Sequence, residues 1–489
     1  MILDRINGPK DLKTLSASER KELAQEIRQA MLKRASIHGG HFGPDFGIVE
    51  ATIALHTVFD SPKDKIVWDV SHQVYPHKIL TGRKQAYLEE EHYDDVSGYS
   101  NPAESEHDFF EVGHTSTSIS LASGLAMARD LQGGHENIIA VIGDGSMSGG
   151  EALEGLDTVG EMGTNMIIVL NDNQMSIAEV HGGMYKGFEE LRRTGGKSEH
   201  NLFRAMGLDY RFVADGNDSE ALIKVFREVK DIDHPVVVLI VTQKGKGYKF
   251  AEEDKESWHW HMPFDIETGE VKHPYVDEAA ELTAAYLLDP MKTDKKLAVL
   301  TAATPSSFGF TSERRKQAGK QFIDVGIAEE QAVAMASGLA KGGARPVFGD
   351  YATFFQRTYD QISQDVCINN NPAVFLVFGA SMYSMNDVTH LCIFDIPMMA
   401  NIPNLVYLAP VSLAEYKAML AWALDQTDHP VAIRVPVLPV SSEGRVIRTD
   451  YSQLNTYEVT RRGEEVAILG LGNFYGLAEQ TAAELEKKG

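Results

Sequence analysis

Two short polar clusters, Gly143-Asp144-Gly145 and Asn171-Asp172-Asn173, each follow directly on an apolar run, Ile138 to Ile142 and Met166 to Leu170. Oxygen-bearing side chains such as Asp144 and Asn173 suit magnesium, which takes hard oxygen ligands and commonly shares its octahedron with the phosphates of a ligand. Glycines at 143 and 145 let the backbone approach a diphosphate closely, and the helix start that follows adds partial positive charge. The plain alternative is an ordinary strand-turn-helix with solvated Asp and Asn. The second cluster, at the matching place after the next apolar run, favours the cation and diphosphate reading.

The apolar runs are rich in branched residues and end in turn-formers, the pattern of buried parallel strands. Between them Ser148 to Leu156 is a small-residue loop entering a helix, so the stretch is a βαβ unit with both clusters at the carboxyl ends of its strands, where open α/β sheets bind ligands. Upstream, a capping box at Ser16 to Glu19 opens a helix with Leu23, Ile27 and Met31 on one face. The fold class is α/β: consecutive open, mostly parallel sheets with helices on both faces, and a third α/β domain left incomplete. The expected divisions are a diphosphate-binding domain over 1–268, a linker over 269–294, a second α/β domain over 295–455 and the start of a C-terminal α/β domain over 456–489. The second domain has strands expected at Leu297 to Thr301, Pro346 to Phe348, Ala373 to Val377 and Leu405 to Ala409. The third is expected from a strand at Val466 to Gly470 and a helix from about Leu477.

A chain of 489 residues with 43% hydrophobic content has room for roughly three domains of ~150 residues each. Its net charge of −24 and acidic runs such as Glu89-Glu90-Glu91 argue against a nucleic-acid or anionic-membrane surface. The N-terminus lacks the pattern of a signal peptide and no apolar run approaches the ~20 residues of a membrane span, so a cytoplasmic place is expected. The cysteines, Cys367 and Cys392, read as reduced and buried and receive no catalytic role.

The strings GDGSMSGGEALEG (143–155) and NDNQMSI (171–177) resemble the thiamine diphosphate motif of the 1-deoxy-D-xylulose-5-phosphate synthase branch of the transketolase superfamily. His41-Phe42-Gly43, WDVSHQVYPHKILTGR (68–83), VGHTSTSIS (112–120) and Ala328-Glu329 resemble that family in order and spacing, over about Arg34 to Arg434. The resemblance implies thiamine diphosphate and Mg²⁺ as cofactors, with Asp144, Asn173 and the backbone carbonyl of Met175 on the metal; Met175 is equally readable as core. His72, Gly113, His114, Thr115, Gly145, Ser146, Asn173 and Tyr248 fall on family positions that line the cofactor. Phe354 matches the aromatic that stacks on its aminopyrimidine ring, although an aromatic there also reads as core.

Glu329 is the central acid by the same resemblance, supplying the hydrogen bond that protonates the aminopyrimidine, while Glu330 reads as helical surface. His41, His259 and His390 suit proton exchange with donor and acceptor oxygens, their ordinary pKa being about 6.5. Tyr351 and Arg357 match residues beside the acceptor. The implied reaction condenses pyruvate with an aldose acceptor, glyceraldehyde 3-phosphate in the family, in a homodimer. This chain departs from the family at three places: Gly379 and Val437 stand where it carries phosphate-binding arginines, and Asn386 where it has an aspartate. The segment from Met175 to His259 also reads as short for the family. Two other readings follow: a paralogous ketol transferase or acyloin-forming enzyme with the same cofactor and a different acceptor, an unphosphorylated one included, and a noncatalytic cofactor-binding or assembly subunit.

Overall fold

The structure, a computed structural model, describes residues 1–382 and 387–488; Asn386 lies outside the described residues. The chain divides into two compact units, Met1–Tyr275 and Val276–Gly489.

The first unit holds β1 (Gly40–His41), β2 (Lys65–Trp68), β3 (Ile138–Gly143), β4 (Met166–Asp172), β5 (Asp209–Val213), β6 (Pro235–Val241) and β7 (Trp260–His261). Five of these make an all-parallel sheet in the order β2-β3-β4-β6-β5, and β1 pairs with β7 as a short antiparallel ribbon. In the central strands the period-2 alternation feeds two cores. Ile139, Val141, Ile167, Val169, Val236 and Val238 face one, while Ile138, Ala140, Ile142, Met166, Ile168 and Leu170 face the other. Burial on both faces explains why these strands are apolar throughout, and each such side chain contributes about 1.5–3 kcal/mol relative to an exposed one. The helix Ala17–His38 opens with the expected capping box: Glu19 N–H donates to Ser16 Oγ and Ser16 N–H to the Glu19 carboxylate.

The second unit holds β8 (Leu297–Thr301), β9 (Phe322–Asp324), β10 (Arg345–Tyr351), β11 (Val374–Phe378), β12 (Val406–Leu408) and β13 (Val431–Arg434), all parallel in the order β12-β13-β11-β10-β8-β9. Both sheets therefore present one edge of strand carboxyl ends.

Two segments differ from expectation. The stretch expected as linker contains the helix Glu278–Met291, capped by Asp277 and packed through Ala284, Leu287 and Met291 on the second core. Its alanine-rich face gives little hydrophobic contrast along the sequence. The run Val466 to Gly470 pairs with no strand among the described residues, and Leu469 is 92% exposed. The helix Tyr475–Lys488 follows it.

Candidate active site

In the first unit the loops after β2, β3, β4 and β6 share the carboxyl edge of the sheet. Asp144, directly after β3, is buried; its Oδ2 accepts from Gln174 N–H at 2.8 Å, and its Oδ1 has no hydrogen-bond partner among the described residues. Burial, then the neighbouring Asp172 charge, raises the Asp144 carboxyl well above the ordinary range. An unpaired carboxyl in a dry site calls for a cation or a proton. Asn173 Oδ1, which accepts from Met175 N–H at 3.1 Å, still has a lone pair to offer. A Cβ on Gly145 would lie 2.9 Å from Ser176 Cβ and 3.5 Å from the Met175 carbonyl oxygen, so only glycine keeps this approach open. Asp144, Gly145, Asn173 and Met175 are thus brought together.

Asp69, fully buried after β2, accepts from Ser116 N–H at 2.9 Å and Ser118 N–H at 3.0 Å. Ser71 Oγ donates to the Val112 carbonyl, and Ser116 Oγ to the Ser146 carbonyl at 2.8 Å. These bonds fix the loop carrying Gly113, His114 and Thr115 beside Ser146. Val70, Ser71, Ser116 and Gln174 hold positive φ of 49°, 58°, 75° and 65°, and left-handed backbone at non-glycine residues gathers at functional sites.

His41, His72 and His259 form a second cluster: ring centroids lie 4.7 Å apart for His41 and His72, 5.0 Å for His72 and His259, and 5.7 Å for His41 and His259. Pairing of β1 with β7 sets His41 close to His259. Burial, then Lys244, His72 and His41, holds His259 well below the ordinary imidazole value, so it is neutral at pH 7. Lys244, 1% exposed, links the two groups of residues. Its Nζ donates to the Ser176 carbonyl at 2.6 Å, and burial lowers it to about 7 against the pull of Asp144 and Glu256. Lysine in a glycine-rich loop reads as solvated, and only the tertiary structure buries it.

Beneath these loops runs a buried relay. Asp108 can only accept, so His77 Nε2–H donates to it at 2.9 Å and His77 Nδ1 accepts from His56 Nε2–H at 2.9 Å. Arg83 clamps both oxygens of Asp108 at 2.7 and 2.9 Å, and Lys78 meets Glu104 at 2.6 Å. The relay holds the segment carrying Tyr99, whose ring lies 5.6 Å from that of His41. Tyr248 packs among Phe42, Phe250, Trp258 and Phe264 and donates its hydroxyl to the Ile266 carbonyl at 2.9 Å.

In the second unit Glu329 opens the helix Glu329–Lys341 at 2% exposure. Its Oε2 makes no hydrogen bond among the described residues and lies 3.9 Å from Arg357 Nη1. Burial raises the carboxyl to about 7, with Arg357 opposing. Phe354 stands T-shaped to Tyr351 at 6.2 Å and to His390 at 5.7 Å. His390 is buried and lowered by desolvation to about 4; Tyr351 is raised by burial to about 12. The structure thus groups Tyr351, Phe354 and His390, and separately pairs Glu329 with Arg357. Gly379 and Val437 follow adjacent strands, β11 and β13, and Asn473 bridges them, accepting from Val437 N–H at 2.9 Å and donating to the Ala380 carbonyl at 3.1 Å.

Comparison with known proteins places the chain in a family. The family model described as 1-deoxy-D-xylulose-5-phosphate synthase matches residues 3–198 and 194–242, and that of the transketolase pyrimidine binding domain matches 279–440. The 1-deoxy-D-xylulose-5-phosphate synthase of Halalkalibacterium halodurans is 37% identical over 531 aligned residues, covering 100% of this chain and 84% of that one. That of Carboxydothermus hydrogenoformans is 39% identical over 527, with coverage of 100% and 84%. Both aligned lengths exceed 489, so the relatives carry segments this chain lacks. Among solved structures, transketolase from Leishmania mexicana aligns over 85% of this chain and 77% of that one, with TM-score 0.41 and 16% identity. No helix among the described residues is long and apolar enough to cross a membrane. The chain belongs to the 1-deoxy-D-xylulose-5-phosphate synthase family of enzymes.

Proposed function

We propose that this chain is a thiamine diphosphate and Mg²⁺-dependent transferase that condenses pyruvate with an aldose acceptor, glyceraldehyde 3-phosphate in the family reaction, releasing carbon dioxide. The observation that carries the reading is Glu329, a buried carboxyl with an unbonded oxygen, at the start of a helix in the segment matched by the pyrimidine binding domain.

The first unit supplies the diphosphate half. Asp144 and Asn173 with the Met175 carbonyl fit a magnesium ion, since Asp144 Oδ1 is buried and unpaired and its charge is disfavoured until a cation neutralises it. Gly145, Ser146 and the Gly113-His114-Thr115 loop would hold the diphosphate end. The second unit supplies the pyrimidine half: Phe354 would offer its ring for stacking, and Glu329 would hold a proton toward a ring nitrogen. Thiamine diphosphate, once bound, supplies the electron sink for decarboxylation. His259 and His390, held neutral by burial, and His41, in its sequence-matched position beside His259, would serve donor and acceptor hydroxyls; Tyr351 and Arg357 would orient the acceptor. A cytoplasmic homodimer is the assembly and place that go with this reading.

Carbon dioxide release from pyruvate with both cofactors, with and without glyceraldehyde 3-phosphate and with product identification, tests it. Release coupled to 1-deoxy-D-xylulose 5-phosphate is expected. Release without that product redirects the acceptor to an unphosphorylated aldehyde, a reading that Gly379 and Val437 favour. No release contradicts the proposal.

A further inference from the structure

The β3–β4 ladder ends at the pair Gly143–Asn171. The residues that follow, Asp144 and Gly145 on one turn and Asp172 and Asn173 on the other, therefore share no register with one another. Two bonds still cross: Asp144 N–H donates to the Asn171 carbonyl at 3.0 Å, and Gln174 N–H to Asp144 Oδ2 at 2.8 Å. The helix Met184–Arg193 braces both turns. Tyr185 and Arg192 are about two helical turns apart and so lie on one face. Tyr185 donates its hydroxyl to the Asp144 carbonyl at 2.9 Å, with the Gly145 carbonyl 3.4 Å away. Arg192 Nη1 donates to Asp172 Oδ2, in an ion pair whose carboxylate is completely buried.

These contacts are not what anchors the helix. Phe188 and Leu191, each 1% exposed, seat it in the core that Ile138 and Ile168 face, and Phe188 stacks on Phe203 at 5.9 Å. The Tyr185 ring stands against Phe188 at 5.8 Å, a contact phenylalanine would keep, which leaves the hydroxyl for the Asp144 carbonyl. A buried ion pair is a weak stability device beside apolar packing, and this one falls on the middle residue of Asn171-Asp172-Asn173.

We propose that Tyr185 and Arg192 are positioning residues that fix the spacing between Asp144 and Asn173, and thereby make the cation site selective for magnesium over a larger divalent ion. Magnesium holds its oxygens at about 2.0–2.1 Å in a near-ideal octahedron, whereas calcium accepts looser sets at about 2.3–2.6 Å. Asp144 and Asn173 sit on separate turns, so the distance between their oxygens follows the turns. Tyr185 holds the carbonyl of the residue that carries one of those oxygens, and Arg192 holds the residue next to the one that carries the other. Loosening either contact lets the turns part, a change that a large ion tolerates and a small one does not. The inference rests on the reading of Asp144 and Asn173 as the cation site.

The test is calorimetric titration of thiamine diphosphate into the full chain with magnesium or with calcium, in wild type, Y185F and R192M. The affinity for calcium is read from cofactor binding or from displacement of magnesium. The expected result is a magnesium-supported affinity about tenfold weaker in each variant, with the calcium-supported affinity reduced less, so that the preference for magnesium narrows. A preference that stays at its wild-type value overturns the proposal, whether both affinities fall together, as general support of the fold would have it, or neither falls. Y185F decides alone should R192M, which leaves Asp172 buried and unpaired, not fold. Wild type that binds the cofactor with no response to magnesium overturns the reading of the cation site, and this inference with it. Wild type that responds while Y185F keeps the full preference overturns the inference alone.

Discussion

Asp144 in the first unit and Glu329 in the second are both buried carboxyls with one unbonded oxygen, and both are raised by desolvation. Their surroundings separate them. Asp144 lies among loops whose backbone N–H groups and carbonyls converge, beside a second aspartate, where the proposed divalent cation would answer the excess of oxygen. Glu329 opens a helix at 2% exposure, with Arg357 at the edge of ion-pair range. There the proposed function has a proton, and not a cation, answer the missing charge. On the proposed reading, burial of the same functional group would serve metal binding at one sheet edge and proton transfer at the other.

The largest break in this comparison is expected from E329Q. It should lower exchange of the cofactor's C2 proton, followed by deuterium loss, by about 10²–10⁴-fold, the usual weight of a general acid; unchanged exchange would remove Glu329 from the proton site. D108N strips the buried histidine relay of its charge partner while leaving Arg83 in place, and should cost about 3–5 kcal/mol in denaturant unfolding. A loss under ~1 kcal/mol would show that the relay does not hold the histidine loops. D144N should weaken magnesium-dependent cofactor binding roughly 10- to 100-fold by calorimetry, as loss of support around a metal typically does.

Stability against pH sharpens the contrast further. Glu329 is raised from 4.5 to about 7 in the fold, so its contribution is complete below the unfolded value and is lost as pH rises through about 7. The difference in unfolding free energy between wild type and E329Q should therefore fall by about 1.4 kcal/mol per pH unit across that window. A flat difference would place the carboxyl in ordinary solvation. The smallest effect is expected from V437R, which restores a guanidinium where Gly379, at φ 68°, would resist a side chain. It should lower KM for a phosphorylated acceptor by up to about tenfold, one charge-assisted hydrogen bond, and leave KM for an unphosphorylated one unchanged.

The first unit's site was legible in the sequence because its chemistry is contiguous: GDG and NDN each sit on a strand end, and the strand pattern alone puts them on one edge. Glu329 was legible only through the resemblance of its string. Lys244 carries no local signal. It sits in a glycine-rich loop, and its burial depends on residues distant in sequence, Ser176 among them. The helix Glu278–Met291 read as linker because alanine contributes to packing by being small, which hydrophobic contrast does not register.

Calorimetric titration of thiamine diphosphate, with and without magnesium, into wild type, D144N and E329Q tests the division between cation and proton sites most directly. The account predicts magnesium-dependent binding that D144N loses and E329Q retains at near wild-type affinity. Equal loss in both variants, or binding to D144N that still responds to magnesium, would contradict it.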